Sequence, residues 1–223
     1  MGKWDSLFEK GYYIGDLSEL GIDLGKFDRI TNDIIEFSKD KEKHFLVQSV
    51  SSDSRLSHKI KVEDEIDRSK FVKDNGIDVI CYNYSMENNS ENGYCFDYLD
   101  SIVRDIAPKV YQRFTRNNIK INPGILLYEN GHYQSPHSDG HVGECVIIIY
   151  FSDPATYNGS GKLNLLKPFP EEGIIESMDP IKGKYIILEQ LNHNIRHEVE
   201  IVTGDFKRFG FLAQVKIEQK NLI

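Results

Sequence analysis

Histidines and a carboxylate are crowded into one short stretch, HYQSPHSDGH at residues 132–141. Within it, His137 and Asp139 stand two residues apart, shortly before the apolar run CVIIIYF. In extended backbone, side chains two residues apart project to the same side. An imidazole and a carboxylate placed in this way can bind one divalent metal ion. The pair therefore predicts part of a metal site at the edge of a β-sheet, although such a pair alone is also typical of a polar surface turn.

A third metal ligand must come from a neighbouring strand, and the sequence offers two candidates. His193 and His197 both lie downstream, in LNHNIRHEVEIV. Two histidines and one carboxylate leave adjacent positions open on the metal, an arrangement that suits non-haem Fe(II). Zinc is the rival metal, but catalytic zinc sites more often use three histidines, or two histidines with a glutamate. The residue types thus indicate an open metal site and leave both the metal and the third ligand undecided.

The strands that would hold such a site are predicted by the second half of the chain. After residue 119 come six β-branched and aromatic runs separated by Gly, Pro and Asn: INPGILLYE, ECVIIIYFS, GKLNLLKPF, GKYIILEQL, HEVEIVTG and KRFGFLAQVKI. Short strands at this spacing, with little helix between them, indicate an antiparallel sandwich or barrel. A sandwich encloses a space between its sheets, and alternate residues of each strand point into it. His137 and Asp139 would face that space.

The first 118 residues predict mainly helices. KGYYIGDL is typical of a short strand ending at Gly15, and IDVICYNYS is also strand-like. A helix is expected over residues 25–38, where apolar residues recur at helical spacing. A longer helix is expected where a second stripe recurs, and its members are Leu99, Ile102, Val103, Ile106, Val110 and Phe114. Pro108 should kink or split this helix near Ala107, since proline lacks the backbone N–H.

Residues 47–75 are polar and charged and show no clear period. Unstructured segments of this length inside a domain are commonly functional loops. We therefore interpret the segment as a long loop or a mobile flap that gates access of the substrate to the pocket.

The composition limits the class of protein. A chain of 223 residues can bury one sizeable core, so we expect a single domain, with residues 1–118 as helix-rich support and flap and residues 119–217 as the catalytic core. A net charge of -8 argues against nucleic acid as a partner. Charges interrupt the N-terminal sequence, so neither a signal peptide nor a membrane partner is expected. Three cysteines without C-x-x-C spacing predict reduced thiols and a cytoplasmic location. The oligomeric state is not predicted.

An ordered set of residues over positions 119–215 resembles the Fe(II)/2-oxoglutarate-dependent dioxygenases, in particular their prolyl-hydroxylase-like branch. The pattern of that family runs Y-x-x-G-x-Y, H-x-D, an aromatic-rich strand, G-x-L, P-x-x-G, H-x-V and then a basic residue. The matching residues, in chain order, are Tyr128, Gly131, Tyr133, His137, Asp139, Tyr150, Gly161, Leu163, Pro180, Gly183, His197, Val199 and Arg208. The set is specific as an ordered whole, and the first hundred residues match only loosely.

The resemblance implies a mainly β fold with N-terminal helices (α+β), whose core is a double-stranded β-helix, or jelly roll, packed by helices. It also implies that His137, Asp139 and His197 hold the iron. His197 is preferred to His193 because it precedes Glu-Val at the start of a strand and lies eleven residues before Arg208.

The co-substrate implied by the resemblance is 2-oxoglutarate, which chelates iron through its 2-oxo acid end, with O2 as oxidant and ascorbate as a candidate further cofactor. Its distal carboxylate needs a permanent cation in a desolvated pocket, and arginine offers a matched pair of donors. Arg208 is the candidate anchor, with Tyr150 and Tyr128 as hydrogen-bond donors. Lys207 is the rival anchor, but it should face the opposite side of the strand.

Substrate contacts are expected from His141, Tyr133 and Tyr84, and His132 also flanks the site, although loop histidines are commonly only solvated. Two positions depart from the family pattern. Gly210 stands where many relatives have a hydroxyl residue, and Glu144 lies where the family has an arginine soon after H-x-D. Both departures bear on the choice of substrate.

The activity implied by the resemblance is hydroxylation of a C–H bond in a prolyl residue, an amino acid or a related small molecule, with release of succinate and CO2. Asp139 favours hydroxylation, because related halogenases have a small residue in its place. The expected partner is thus a small-molecule or peptide substrate. Two alternatives stay open: a cupin-like metal enzyme that does not use 2-oxoglutarate and does not need Arg208, and a non-catalytic jelly-roll binding module without stoichiometric iron.

Overall fold

The computed structural model describes residues 4–39, 46–51, 58–60, 77–84, 93–111, 114–139, 143–168, 170–193 and 195–217. The helices in these ranges are α1 (Asp5–Lys10), α2 (Leu24–Phe37) and α3 (Gly93–Val110), with short 3-10 turns at Leu17–Leu20 and Pro154–Thr156. The strands are β1 (Tyr12–Asp16), β2 (Leu46–Ser51), β3 (His58–Ile60), β4 (Ile77–Tyr84), β5 (Ile119–Tyr128), β6 (Tyr133–His137), β7 (Cys145–Tyr150), β8 (Leu163–Leu166), β9 (Ile174–Met178), β10 (Lys184–Glu189), β11 (Arg196–Val199) and β12 (Arg208–Ile217). None of the helices described is long and apolar enough to cross a membrane.

The strands form a jelly roll, as the sequence predicts. Their hydrogen-bonded order is β1-β10-β7-β12-β5-β4-β6-β11-β8-β9, and the neighbouring strands of this path are antiparallel. Strand β4 pairs with β5 through residues 82–84 and with β6 through residues 79 and 80, so it connects the two sheets of the sandwich. Strands β5 and β12 pair over ten residues each, from Tyr128 opposite Arg208 to Ile119 opposite Ile217.

Strand β7 is a central strand of the sheet, and its sequence is continuously apolar because both of its faces are buried. All six of its residues are buried. Cys145, Ile147 and Ile149 pack into the core beneath the helices, whereas Val146, Ile148 and Tyr150 belong to the core between the two sheets. A strand covered on both faces has no solvent side, and so it lacks the alternation of polar and apolar residues.

Truncation in this core should destabilise the protein strongly. Ile149→Ala removes buried methyl groups from a side chain that is fully buried, and we expect the free energy of unfolding to fall by about 2–5 kcal/mol. Urea unfolding followed by circular dichroism measures the change. Ile201→Ala is the control, because the Ile201 side chain is 57% exposed and surface substitutions usually cost less than about 0.5 kcal/mol. Equal losses for the two variants would contradict this placement of the core.

The helices follow the predicted stripes except at the end of α3. Helix α2 buries Phe27, Ile30 and Ile34, close to the predicted range. The prediction that Pro108 splits α3 is wrong, because the helix continues through Pro108 to Val110. Proline in the last turn removes only one helical hydrogen bond, and the N–H of Tyr111 still bonds to the carbonyl of Ala107 at 3.0 Å. Phe114 lies beyond the helix but is buried against the Tyr111 ring.

The first 118 residues contribute more strand than predicted. Strand β1 pairs with β10 at one edge of the sheet, and β4 is inserted between β5 and β6. Strands β2 and β3 lie almost entirely within residues 47–75, so the interpretation of this segment as loop or flap is wrong at these strands. Strand β2 pairs with β4 and with β3, and β3 pairs with β2. The other positions of that segment, 52–57 and 61–75, lie outside the described residues. All three cysteines are buried and free.

Candidate metal centre

Two neighbouring strands bring the three predicted ligands together. Strand β6 ends at His137, whose backbone is in register with His197 of β11. Asp139 follows two residues after β6, and its carboxylate lies 3.9 Å from Nε2 of His137 and 3.5 Å from Nε2 of His197. The candidate ligand atoms all lie within 4.8 Å of one another. The pairing of β6 with β11 therefore creates a two-histidine, one-carboxylate cluster from residues sixty positions apart in the chain.

Both histidines present the Nε2 nitrogen to the cluster as an acceptor. Nδ1 of His137 lies 2.9 Å from the carbonyl of Ser135, and Nδ1 of His197 lies 3.3 Å from the carbonyl of Ile195. A carbonyl can only accept, so in the neutral ring Nδ1 carries the proton and Nε2 keeps its lone pair. Burial, reinforced by the adjacent His137, lowers the pKa of His197 to about 4, although Asp139 opposes the shift. His197 is thus neutral at neutral pH, the form that binds metals.

The donor set fits a divalent cation. Oδ2 of Asp139 is buried and has no hydrogen-bond partner among the described residues. It faces the Nε2 of His197, which in its neutral form is also an acceptor. Acceptors brought together in a buried place repel one another unless a cation lies between them. Two imidazoles and one carboxylate match the facial triad of non-haem iron.

A buried arginine lies in the same cavity. Arg208, the first residue of β12, is only 2% exposed. Its Nη2 donates to the hydroxyl of Tyr150 at 3.0 Å, and its guanidinium lies over the rings of Tyr128 and Tyr150, at 4.6 and 5.0 Å from their centroids. Its Nε has no hydrogen-bond partner, and no carboxylate of the described residues forms an ion pair with it. A permanent charge buried in this way indicates a binding site for an anion.

The tyrosines beside Arg208 remain hydrogen-bond donors. Burial raises the pKa of Tyr150, and Arg208 only partly offsets this effect. Burial and the neighbouring Cys81 raise the pKa of Tyr128 well above its ordinary value. Both hydroxyls are therefore protonated at neutral pH, and each can donate to an anionic oxygen.

The triad and Arg208 line one cavity of about 670 Å³. Leu126, Ile148 and Leu212 form apolar wall between the sheets, and Cys81 lies beside Tyr128. Carboxamides of Asn83, Asn122 and Gln214 line another part of it. The sequence did not single out these carboxamide residues, because an isolated Asn or Gln on a strand carries no spacing signal.

The remaining predicted residues have different positions. Lys207 is half-exposed and pairs with Glu129 at 3.2 Å, away from the cavity as expected. Tyr133 is half-buried in β6 opposite Ile80 and is not among the residues that line the cavity. Tyr84 ends β4, and its side chain lies outside the described part of the structure, as does His141 entirely.

Two further histidines lie outside the cluster. His132 is fully buried, 5.1 Å from the Tyr82 ring, and is not among the residues that line the cavity. Nε2 of His193 lies 3.0 Å from the carbonyl of Phe8, and the backbone N–H of His193 donates to the Glu189 carboxylate. His193 therefore links the turn after β10 to α1.

The two departures from the family pattern have simple local roles. Gly210 lies opposite Tyr150, and a Cβ there would be in ordinary contact, at 3.5 Å, with Ile148 and Tyr150. The position could therefore hold a small side chain, and glycine leaves extra space beside Arg208. Glu144 accepts a hydrogen bond from the backbone of Ile217 at 3.4 Å, so it holds the far end of β12.

Comparison with known proteins supports the resemblance through structure. No family model matches the sequence, and no curated protein matches it. Among solved structures, a prolyl-4-hydroxylase from Pseudomonas putida aligns with a TM-score of 0.63 at 10% identity, over 97% of both chains. A prolyl hydroxylase from Trichoplax adhaerens, in complex with a peptide fragment of hypoxia inducible factor, aligns with a TM-score of 0.63 at 14% identity, over 96% of this chain and 87% of that one.

A third solved structure widens the range of chemistry among the similar folds. The non-haem α-ketoglutarate-dependent epimerase SnoN from nogalamycin biosynthesis aligns with a TM-score of 0.61 at 11% identity, over 97% of this chain and 82% of that one. The fold implied by the sequence motif is therefore confirmed: the chain has the fold of the Fe(II)/2-oxoglutarate oxygenases.

Proposed function

We propose that this chain is an Fe(II)- and 2-oxoglutarate-dependent oxygenase that hydroxylates a C–H bond of its substrate and releases succinate and CO2. One observation carries the proposal. A cluster of two histidines and a carboxylate shares a single cavity with a buried arginine that has no carboxylate partner among the described residues. A metal site alone would suit many reactions, but the added anion site matches a co-substrate with a chelating end and a distal carboxylate.

The roles of the cluster follow from its protonation. His137, Asp139 and His197 would hold Fe(II), which when bound supplies the activation of O2 for oxidative decarboxylation of the co-substrate and oxidation of the C–H bond. The two histidines bind as neutral rings oriented by the carbonyls of Ser135 and Ile195. Asp139 supplies the negative charge, and its presence supports hydroxylation as the outcome.

The arginine side of the cavity would hold 2-oxoglutarate. Arg208 pairs with the distal carboxylate, while Tyr150 and Tyr128 donate their hydroxyl protons to it. Leu126, Ile148 and Leu212 keep water from this part of the cavity, which strengthens the ion pair. Ascorbate remains a candidate further cofactor.

The substrate class is supported by the carboxamide residues of the cavity. Asn83, Asn122 and Gln214 can each donate and accept hydrogen bonds, as peptide groups do. A prolyl residue in a peptide, an amino acid or a related small molecule would suit this lining. The similar structures include a peptide complex and an enzyme of small-molecule biosynthesis. We propose a cytoplasmic single-domain enzyme whose candidate substrate contacts include His141 and Tyr84.

A substrate screen tests the proposed reaction. The purified protein with Fe(II), 2-oxoglutarate and ascorbate is supplied in air with prolyl peptides, free amino acids or small cyclic metabolites, and succinate is measured. We expect one class to raise succinate release well above the uncoupled rate, and Asp139→Ala to abolish it. A cupin-like enzyme would turn over without 2-oxoglutarate, and a binding module would show no turnover, so either result would overturn the proposal.

Tyr150→Phe separates the co-substrate pocket from the metal site. The substitution removes the hydroxyl that lies 3.0 Å from Arg208 and keeps the buried ring. A hydrogen bond to a charged group contributes about 1.5–3 kcal/mol, so we expect 2-oxoglutarate affinity to fall roughly tenfold to a hundredfold. Metal affinity should not change.

Calorimetric titration of 2-oxoglutarate into the metal-loaded protein measures the effect of Tyr150→Phe. Tyr157→Phe is the matched control, because the Tyr157 hydroxyl donates to Asp179 at an exposed position outside the cavity lining. If both variants bind 2-oxoglutarate as tightly as the unaltered protein, Tyr150 does not contact the co-substrate.

A further inference from the structure

Gln134 connects the metal site with the co-substrate pocket. Its Nε2 lies 2.8 Å from Nε2 of His137, and its Oε1 accepts the hydroxyl proton of Tyr128 at 3.0 Å. His137 is a candidate metal ligand, and the Tyr128 ring lies under the guanidinium of Arg208. One carboxamide thus touches both halves of the cavity, and it is among the residues that line it.

The donors and acceptors along this chain of contacts allow only one arrangement. The carbonyl of Ser135 must accept from Nδ1 of His137, so in the neutral ring Nε2 has a lone pair and no proton. The nitrogen of the Gln134 carboxamide therefore donates to that lone pair, and its oxygen faces the Tyr128 hydroxyl as the acceptor. The assignment of the amide atoms is thus fixed by the His137 end, because a tyrosine hydroxyl could accept as well as donate.

The lone pair that Gln134 occupies is the one a metal ion would use. Nε2 of His137 faces Asp139 and His197, whereas its Nδ1 is engaged by backbone. Metal binding at Nε2 must displace the Gln134 amide. The backbone of Gln134 is paired with Val79 of β4 on one side and with Val199 of β11 on the other. Its displacement is therefore a rotation of the side chain and leaves the strand in place.

We propose that Gln134 is a positioning residue that competes with a metal ion for Nε2 of His137 and, when a metal displaces it, releases the Tyr128 hydroxyl toward the carboxylate held by Arg208. The inference rests on the proposed function, because it requires a metal at the triad and an anion at Arg208.

Because the Gln134 amide and a metal ion compete for Nε2 of His137, removal of the amide should strengthen metal binding. Gln134→Leu keeps the volume of the side chain but leaves Nε2 of His137 without a competing donor. A hydrogen bond between neutral groups contributes about 0.5–1.5 kcal/mol net, so Mn(II) affinity should rise roughly threefold to tenfold. Tyr128→Phe frees the other end of the carboxamide and should raise Mn(II) affinity by a smaller factor. In the Gln134→Leu background, Tyr128→Phe should have no further effect.

Mn(II) titration of the full chain, followed by the electron paramagnetic resonance of the free ion, tests the inference without turnover. Gln134→Ala removes the same amide and must agree with Gln134→Leu. Gln214→Leu is the matched control, because Gln214 lines the same cavity but bonds to Asn122 at 2.9 Å, and it should leave Mn(II) affinity unchanged.

The outcomes separate the inference from the proposed function. Tighter Mn(II) binding by both Gln134 variants, together with the non-additive effect of Tyr128→Phe, would support the inference. If the unaltered protein binds Mn(II) and both Gln134 variants bind it equally or more weakly, the inference is overturned and the proposed function is untouched. If the unaltered protein binds no Mn(II), the metal site itself is wrong.

Discussion

Arg208→Ala is expected to weaken 2-oxoglutarate binding by roughly two to three orders of magnitude while iron affinity changes little. The guanidinium is buried against two tyrosine rings and has no carboxylate partner among the described residues. Removing one partner of a buried ion pair typically costs about 3–5 kcal/mol, because the other charge is left desolvated. In Arg208→Ala, the charge left desolvated without a partner would be the distal carboxylate of 2-oxoglutarate.

The control for Arg208→Ala is a substitution at Lys207, the residue just before β12. Lys207→Ala should have little effect, because Lys207 points outward and pairs with Glu129 at 3.2 Å. The dissociation constant of 2-oxoglutarate at saturating iron decides between them. If Lys207→Ala were the damaging substitution, the register of the strand would be wrong by one residue. If neither mattered, the assignment of 2-oxoglutarate would be lost.

His197→Ala is expected to abolish turnover and to weaken iron binding by more than about a hundredfold, since loss of even an outer partner of a metal ligand costs about 10- to 100-fold. His197 is 2% exposed and lies 3.5 Å from the Asp139 carboxylate. No other histidine of the described residues is placed to substitute for it in the cluster.

His193→Ala is the matched control for His197→Ala. The side chain of His193 contacts the carbonyl of Phe8, whereas its bond to Glu189 comes from the backbone N–H and survives the substitution. His193→Ala should therefore affect only the contact of this turn with α1 and leave iron affinity unchanged. Equilibrium titration of Fe(II) without oxygen measures both variants. Full iron affinity in His197→Ala with loss in His193→Ala would show that the third ligand is misassigned.

The fold could be predicted because the strands of the second half carry a strong signal. Runs such as CVIIIY are short, apolar and bounded by turn residues, and the structure makes them the central strands. The triad could be predicted for a related reason. An H-x-D pair at the end of one strand finds its third ligand on the antiparallel neighbour, and the order of motifs along the chain indicates which histidine that is.

Other features could not be predicted from the sequence, because they depend on contacts between residues that are distant in the chain. Strand β9 has four exposed residues out of five, so it shows no alternation of buried and exposed positions. Strand β6, YQSPH, is polar because part of it lines the cavity. His132 is buried beside Tyr82, which is fifty residues away in the chain, and no local pattern indicates that contact. Gln134 lies three residues before His137, but only the positions of Tyr128 and His137 give it a role.

An anaerobic titration shows whether one cavity binds Fe(II) and 2-oxoglutarate together. Protein loaded with Fe(II) is titrated with 2-oxoglutarate while the visible spectrum is recorded. We expect a weak charge-transfer band that saturates with stoichiometric co-substrate, is absent in Asp139→Ala, and needs far more 2-oxoglutarate in Arg208→Ala. If the band does not form although Fe(II) is bound, or if it forms equally well in Arg208→Ala, the cavity does not bind the two together as proposed.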